Sequence, residues 1–199
     1  LYNETTGVAV QPTPQIGGVG IIDDLDRIAS LEWNEGDEIL LAGRSRGHLA
    51  NSLYAQFIHN RYEGGPPPVD LTEEKRNGEF IQEEIRQWAL RTCHDVADGG
   101  LLVAIAEMAI TSGIGAEIDA SQGDSAGWWF AEDQARYVVG TSPSSASAMK
   151  QRADKAGVPL VRIGTVIGKS LTINGLMNIT IYELTKQHEN WLPYFMELP

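Results

Sequence analysis

Two adjacent stripes of positions at helical spacing, Leu101, Ile105, Met108 and Ser112 on one and Leu102, Ala106 and Ala109 on the next, are almost wholly apolar. A face that wide predicts a helix buried on most of its circumference. Residues 92–96 just upstream read as the end of a buried strand, and residues 38–43 as another. Residues 49–59 predict a helix with Leu49, Leu53, Phe57 and Ile58 inward. Gly64-Gly-Pro-Pro-Pro68 must be a loop, after which Asp70 and Glu73 form a capping-box-like start to a long helix. Ile81, Ile85, Trp88 and Ala89 give that helix an inward stripe; Glu73, Glu74, Glu79, Glu83 and Glu84, mixed with Lys75, Arg76 and Arg86, read as a solvated face. Residues 114–119, 128–130 and 136–140 are β-like. Residues 142–157 predict a helix with proline near its start and glycine after it, residues 159–174 one or two strands, and residues 179–181 another. The aromatic-rich tail from Tyr182 is expected to pack on its own domain or a partner.

The first fifteen residues are polar and proline-bearing, and Ile16-Gly-Gly-Val-Gly-Ile-Ile22 is a short β-prone run whose glycines suit close strand packing. Residues 1–34 therefore read as the tail of a preceding domain and residues 35–199 as the main one, of mixed α/β (α+β) class. The opening at Leu1, without methionine or a leader, suggests a piece of a longer polypeptide.

With 199 residues, 42% apolar and 21% charged, the chain can bury a substantial core. A formal charge of −12 without a basic cluster argues against nonspecific nucleic-acid binding. One cysteine excludes an internal disulfide framework, and no apolar run has spanning length or signal-peptide form, so no membrane partner and a cytoplasmic setting are expected. In that setting the sequons Asn3-Glu-Thr5 and Asn178-Ile-Thr180 carry no meaning.

The candidate chemistry sits where the buried helix begins. In His94-Asp-Val-Ala-Asp-Gly-Gly100, Asp98 can be the N-cap, while Gly99 and Gly100 let the backbone turn tightly and be approached closely. The free N–H groups and positive dipole there favour phosphate. Asp95 and Asp98 repel it unless a divalent cation stands between. A magnesium-nucleotide contact is one reading; a structural corner, with Asp98 only a cap and Asp95 only pinning the loop, is the other. Cys93 and His94, adjacent on a strand, point to opposite faces and cannot act as nucleophile and base. His48, His59 and His188 show no zinc spacing with His94. Gly164-Thr-Val-Ile-Gly-Lys-Ser170 is one residue short of a P-loop, which leaves Lys169 a turn lysine, and Gly17, Gly18 and Gly20 lack the rest of a dinucleotide loop. Glu132 and Arg136 read as a structural ion pair, or as a ligand contact.

Together, Leu1-Tyr-Asn-Glu-Thr5, Pro12-Thr-Pro-Gln-Ile-Gly-Gly-Val-Gly20, Gly36-Asp37, His94-Asp-Val-Ala-Asp-Gly-Gly100 with Ala106-Glu-Met-Ala109, and Glu132-Asp-Gln-Ala-Arg136 resemble phosphoribosylformylglycinamidine synthase. The resemblance runs to the Trp191-Leu-Pro193 tail and is to the C-terminal part of the stand-alone synthase subunit, in the aminoimidazole ribonucleotide synthetase superfamily. It implies a three-layer α/β/α domain that follows an ATP-binding one. It also implies an ATP-dependent carbon–nitrogen ligase of purine biosynthesis, which converts formylglycinamide ribonucleotide to formylglycinamidine ribonucleotide with ammonia from a glutaminase subunit. ATP and Mg2+ would serve the full-length enzyme, ATP activating the formamide oxygen as a phosphate leaving group.

The family's catalytic histidines and Gly-Asn-x-Ser run lie upstream of the residues matched here, so the resemblance implies no catalytic residue in this chain and an inactive fragment. In the large, fused form of the family's enzyme the first aspartate of the corner motif, matched by Asp95, binds magnesium beside an auxiliary nucleotide, which the resemblance would place at Asp98, Gly99 and Gly100; Ala97 stands where that motif has serine. The implied partners are the N-terminal half of the same subunit, a glutaminase and a small bridging subunit, with homodimers of the fragment expected where apolar surface is uncovered. A non-catalytic scaffold that completes a pseudo-dimer is the second reading. A thiamine phosphate or selenophosphate kinase-like enzyme is a third, against which the Leu-Tyr-Asn-Glu-Thr and Pro-Thr-Pro segments argue.

Overall fold

Alternation along the central strand sets the architecture. A computed structural model describes residues 4–9, 15–90, 92–123 and 125–197; Leu1 to Asn3 and Pro12 to Pro14, which carry part of the resemblance, lie outside them. In chain order come β1 (Glu4–Thr5), β2 (Val8–Ala9), β3 (Glu38–Ala42), α1 (Leu53–His59), α2 (Leu71–Arg86), β4 (Thr92–Asp95), α3 (Gly100–Ser112) and β5 (Ala116–Ile118). After a 3-10 turn follow α4 (Ala126–Phe130), β6 (Tyr137–Thr141), α5 (Pro143–Ala156), β7 (Leu160–Val166), β8 (Ser170–Ile173), β9 (Met177–Thr180) and α6 (Ile181–Glu197). Strands β3 to β9 form a seven-stranded sheet in the order β4-β6-β3-β7-β5-β8-β9. Among the pairings of these seven strands with one another, only β5–β8 is parallel.

Ile39 and Leu41 of β3 enter one core with Val138, Ile163, Leu101, Ile105 and Met108, whereas Leu40 and Ala42 enter another with Val139, Leu160, Phe80, Ile81 and Met149. Side chains alternate across a strand, so a strand covered on both faces reads as an unbroken apolar run. Helices α3, α4 and α6 cover the first face and α2 and α5 the second, giving the expected three-layer α/β/α arrangement. Helix α5 keeps its predicted signals: the Ser142 hydroxyl accepts from the Ser145 N–H, Pro143 opens the first turn, and Gly157 closes the helix at φ 69°. The segment rejected as a P-loop is a β7–β8 turn, where Lys169 Nζ donates to the Gly113 carbonyl at 2.8 Å.

Four elements differ from expectation. Residues 16–22 form no strand: Ile16, Val19 and Ile21 are fully exposed, and nothing lies close to Gly17, Gly18 or Gly20. A β-prone run needs a neighbour for its backbone groups, and among the described residues none pairs with this one. Helix α1 starts only at Leu53, after the Ser52 cap, and exposes Phe57 and Ile58. Residues 128–130 are helical, because the Ser125 hydroxyl caps the Trp128 N–H at 3.2 Å and starts α4. Helix α2 ends at Arg86, before Trp88 and Ala89, and its inward stripe is Glu73, Asn77, Phe80, Ile81 and Glu84.

Two glutamates expected in solvent are thus buried. Glu84 receives Arg152 of α5 through bonds of 2.7 and 2.5 Å, and that arginine, far along the chain, turns a solvated face into an interhelical contact. Residues 30–33, grouped from sequence with residues 1–34, already lie on the sheet domain: Trp33 is buried and its indole N–H donates to the Ile114 carbonyl at 3.1 Å. The tail forms α6, with Ile181 buried and Trp191, Leu192, Tyr194, Phe195 and Met196 exposed. Among the described residues no helix is long and apolar enough to cross a membrane.

Removing Arg152 leaves the Glu84 carboxylate buried without its partner. Arg152→Ala is expected to lower unfolding stability by about 1–3 kcal/mol, reduced from the fully buried case because Arg152 is partly exposed. Chemical denaturation reads this; a change within error of zero would show that water replaces the guanidinium.

Candidate functional site

Strand β4 ends at Asp95 and the chain reaches α3 through two left-handed glycines, Gly99 at φ 78° and Gly100 at φ 79°. The N-cap is Gly99, with no side-chain cap bond, so Asp98 is not the cap the sequence suggested; it is exposed. A carboxylate from a distant turn takes that role. Glu132 Oε1 accepts from the Gly99 N–H at 2.9 Å and from the Leu53 N–H at 2.8 Å. The Gly100 N–H donates to the Ala97 carbonyl at 3.1 Å. Both amides proposed as phosphate donors are therefore engaged within the chain. The close approach that glycine permits is also taken: a Cβ on Gly100 would lie 2.7 Å from Phe130 Cα and from the Ala131 carbonyl oxygen.

Asp95 is exposed, and its Oδ1 lies 3.3 Å from His94 Nδ1. The other ring nitrogen, Nε2, lies 2.9 Å from Glu107 Oε2 and ties β4 to α3. Cys93 points to the opposite face and packs in the α2/α5 core, as strand alternation requires. Burial, with a smaller effect of the Asp95 charge, pushes its thiol from 9.0 to about 12. Among the described residues no group of three or more His, Cys, Asp or Glu could hold a metal ion.

The turn before β6 organises this region, and the sequence did not single out its principal member. Asp133, 2% exposed, accepts the N–H groups of Arg46, Gly47 and His48 at 2.7, 2.9 and 3.4 Å. Gly47, at φ 80°, gives that loop the shape of an anion-binding nest, which Asp133 fills. Arg136, 1% exposed, forms no ion pair with Glu132. It donates to the carbonyls of Asp133 and Ala131 at 3.1 and 2.5 Å and to Ser45 Oγ at 3.0 Å. Burial holds its guanidinium below the ordinary value, against the opposing pull of Asp133. The buried Asn77 amide donates to the carbonyl of Ala135, itself at φ 60°, at 2.9 Å, and Glu73 binds the Arg46 guanidinium. The one available signal was two adjacent carboxylates before a buried strand, facing an Arg-Ser-Arg-Gly loop with donors to spare.

Neither the Gly99 nor the Gly100 amide is free in this structure. Asp95 is a single exposed carboxylate, which could hold Mg2+ only together with phosphates and water. The arrangement makes a rigid backbone junction between β4, α3, α1 and the loop after β3.

The model of the family described as AIR synthase related protein, C-terminal domain, matches residues 34–174. The phosphoribosylformylglycinamidine synthase subunit PurL of Methylocella silvestris is 48% identical over 198 residues, 98% of this chain, and that of Rhodopseudomonas palustris is 48% identical over 199. The chain spans 27% of the length of each relative. Among solved structures, Thermotoga maritima PurL complexed with FGAR superposes with a TM-score of 0.69 at 20% identity, over 81% of this chain and 30% of that one. PurLQS from Thermotoga maritima gives 0.64 at 21%, over 81% and 28%.

Asp133→Ala removes the buried acceptor of three N–H donors on a partly exposed loop and is expected to cost about 1–3 kcal/mol in chemical denaturation; a loss under about 0.5 kcal/mol would show that water or other contacts hold the loop. The Cys93 thiol keeps its proton to about 12 in the fold and loses it near 9.0 when unfolded. The unfolded chain therefore binds fewer protons between those values, and stability falls as pH rises through that window. Denaturation at pH steps above 9.0 should show this slope in the parent and not in Cys93→Ala; identical slopes would refute it.

Proposed function

As the chain belongs to the AIR synthase related protein, C-terminal domain family, we propose that it supplies the C-terminal α/β/α module of a phosphoribosylformylglycinamidine synthase subunit. The observation that carries this reading is 48% identity over 98% of the chain to subunits of that name. The full subunit would be an ATP-dependent carbon–nitrogen ligase, joining glutamine-derived ammonia to formylglycinamide ribonucleotide in purine biosynthesis. Its ATP and Mg2+ belong, on this reading, to parts of the subunit beyond this chain. No residue here is assigned a chemical step. What these residues supply is a fixed wall: the sheet, α3 and the 132–136 turn hold one rigid corner for the rest of the subunit.

The upstream part of residues 1–34 would then be the tail of the ATP-binding domain, with the main domain following it. The N-terminal half of the same subunit, a glutaminase and a small bridging subunit would be the partners, in the cytoplasm. The exposed aromatic end of α6 favours the second reading as well, in which the module acts as scaffold and docks those partners or a second copy of itself.

Replacing the corresponding residues of the Methylocella silvestris subunit with this chain tests the proposal. The chimera should convert formylglycinamide ribonucleotide with ATP, magnesium and ammonium, while this chain alone should give no turnover. A folded but inactive chimera, or turnover by the chain alone, overturns it.

A further inference from the structure

We infer that the edge formed by β9 and α6 is a self-complementary interface through which two copies of this chain pair. The apolar stripe of α6 runs through Ile181, Leu184, Trp191, Leu192 and Phe195 at helical spacing. Its first two members pack on the sheet together with Met177 and Ile179, whereas every described residue of the helix from Lys186 onward is exposed. Trp191 and Phe195 stack on each other with ring centroids 5.3 Å apart. The stripe outruns the core that covers its beginning. Strand β9, which leads into this helix, ends the sheet. The Ile181 N–H donates inward to the Lys169 carbonyl at 2.9 Å, so by alternation the N–H groups of Thr180 and Asn178 point outward. Glu183 Oε2 accepts the first at 3.0 Å, and among the described residues the second has no partner. No charge, proline or bulge guards β9, although those are the usual defences of an edge. The other edge strand, β4, already has a neighbour: the Cys93 N–H donates to the Ser30 carbonyl at 2.9 Å.

The occupant is a second copy because the edge complements itself. Two β9 strands set antiparallel about Asn178 exchange both backbone hydrogen bonds across a two-fold axis, and with one open edge per chain the pairing closes at a dimer instead of growing into a fibre. Charge points the same way. Chains of formal charge −12 repel, and β9 with residues 190–196 is an uncharged stretch where they can meet. Trp191, Leu192, Tyr194, Phe195 and Met196, 55–73% exposed, offer on the order of 600 Å², which with half-buried Met177 and Ile179 comes near the roughly 800 Å² per partner of a stable interface. Among the occupants open to the scaffold reading above, this commits to one. Its test reads self-association and not turnover, so its failure leaves the chimera result untouched.

Sedimentation of the full chain across micromolar concentrations should show a monomer–dimer equilibrium. Trp191→Glu, which places a charge in the apolar face, should raise the dimer Kd at least about tenfold. Asn178→Pro should do the same, since it removes an outward N–H that a single chain does not use and proline is tolerated there. Both variants should keep the parent's circular dichroism. Hydrogen exchange of the parent supplies a reading that needs no variant: protection of the Asn178 amide should rise with protein concentration. A monomeric parent, which would leave this face to another partner or to the rest of a larger subunit, overturns the inference. So do growth beyond dimers, an unchanged Kd in either folded variant, or Asn178 protection that is independent of concentration.

Discussion

The three N–H groups that converge on Asp133 are the constraint on which this end of the molecule depends. A partly exposed loop that leaves the central strand and carries Arg46, Gly47 and His48 in succession turns its donors toward the buried Asp133. One buried carboxylate satisfies all three, and the residues around it complete the junction. Glu132 reaches α3 and α1, Arg136 closes back on the turn's own carbonyls, and Asn77 secures the strained Ala135 from α2. Four of the five residues 132–136 thereby join both helical layers to the sheet. Polar groups fix the geometry here because apolar packing lacks direction and could not hold a loop to one set of angles.

Much of the fold was legible because its signals are local. The alternating cores make β3 a continuous apolar run, the wide apolar face of α3 requires burial on most sides, and α5 carries cap, proline and closing glycine within its own sequence. The misreadings come from partners distant in sequence. Glu84 looks solvated until Arg152 arrives from α5, and Phe57 and Ile58 look inward until α1 is placed at the surface. Residues 16–22 have the composition of a strand without, among the described residues, a strand to pair with. Periodicity measures what a segment can bury, and the rest of the chain decides whether anything is there to bury it.

The corner shows the same limit more sharply. Asp95, Asp98, Gly99 and Gly100 have the residue types of a metal-phosphate site, and the backbone does turn through two left-handed glycines as expected. What occupies the donors could not be read from those residues, since Glu132 and Phe130 come from the far side of α3 and β5. A helix start attracts negative charge of any origin, and a side chain delivered by the fold competes on equal terms with a ligand.

The position of β3 in the sheet also orders events as the chain leaves the ribosome. Ile39 pairs with Gly140 on one side and with Gly164 on the other, so the strand that divides the two cores emerges early and stays without both neighbours until most of the module has been made. Its apolar side chains must wait, exposed or chaperoned, for β6 and β7. Neither core can close before then. The module therefore assembles late and nearly at once, and a nascent chain stalled before β7 would hold one half-paired strand and no finished face.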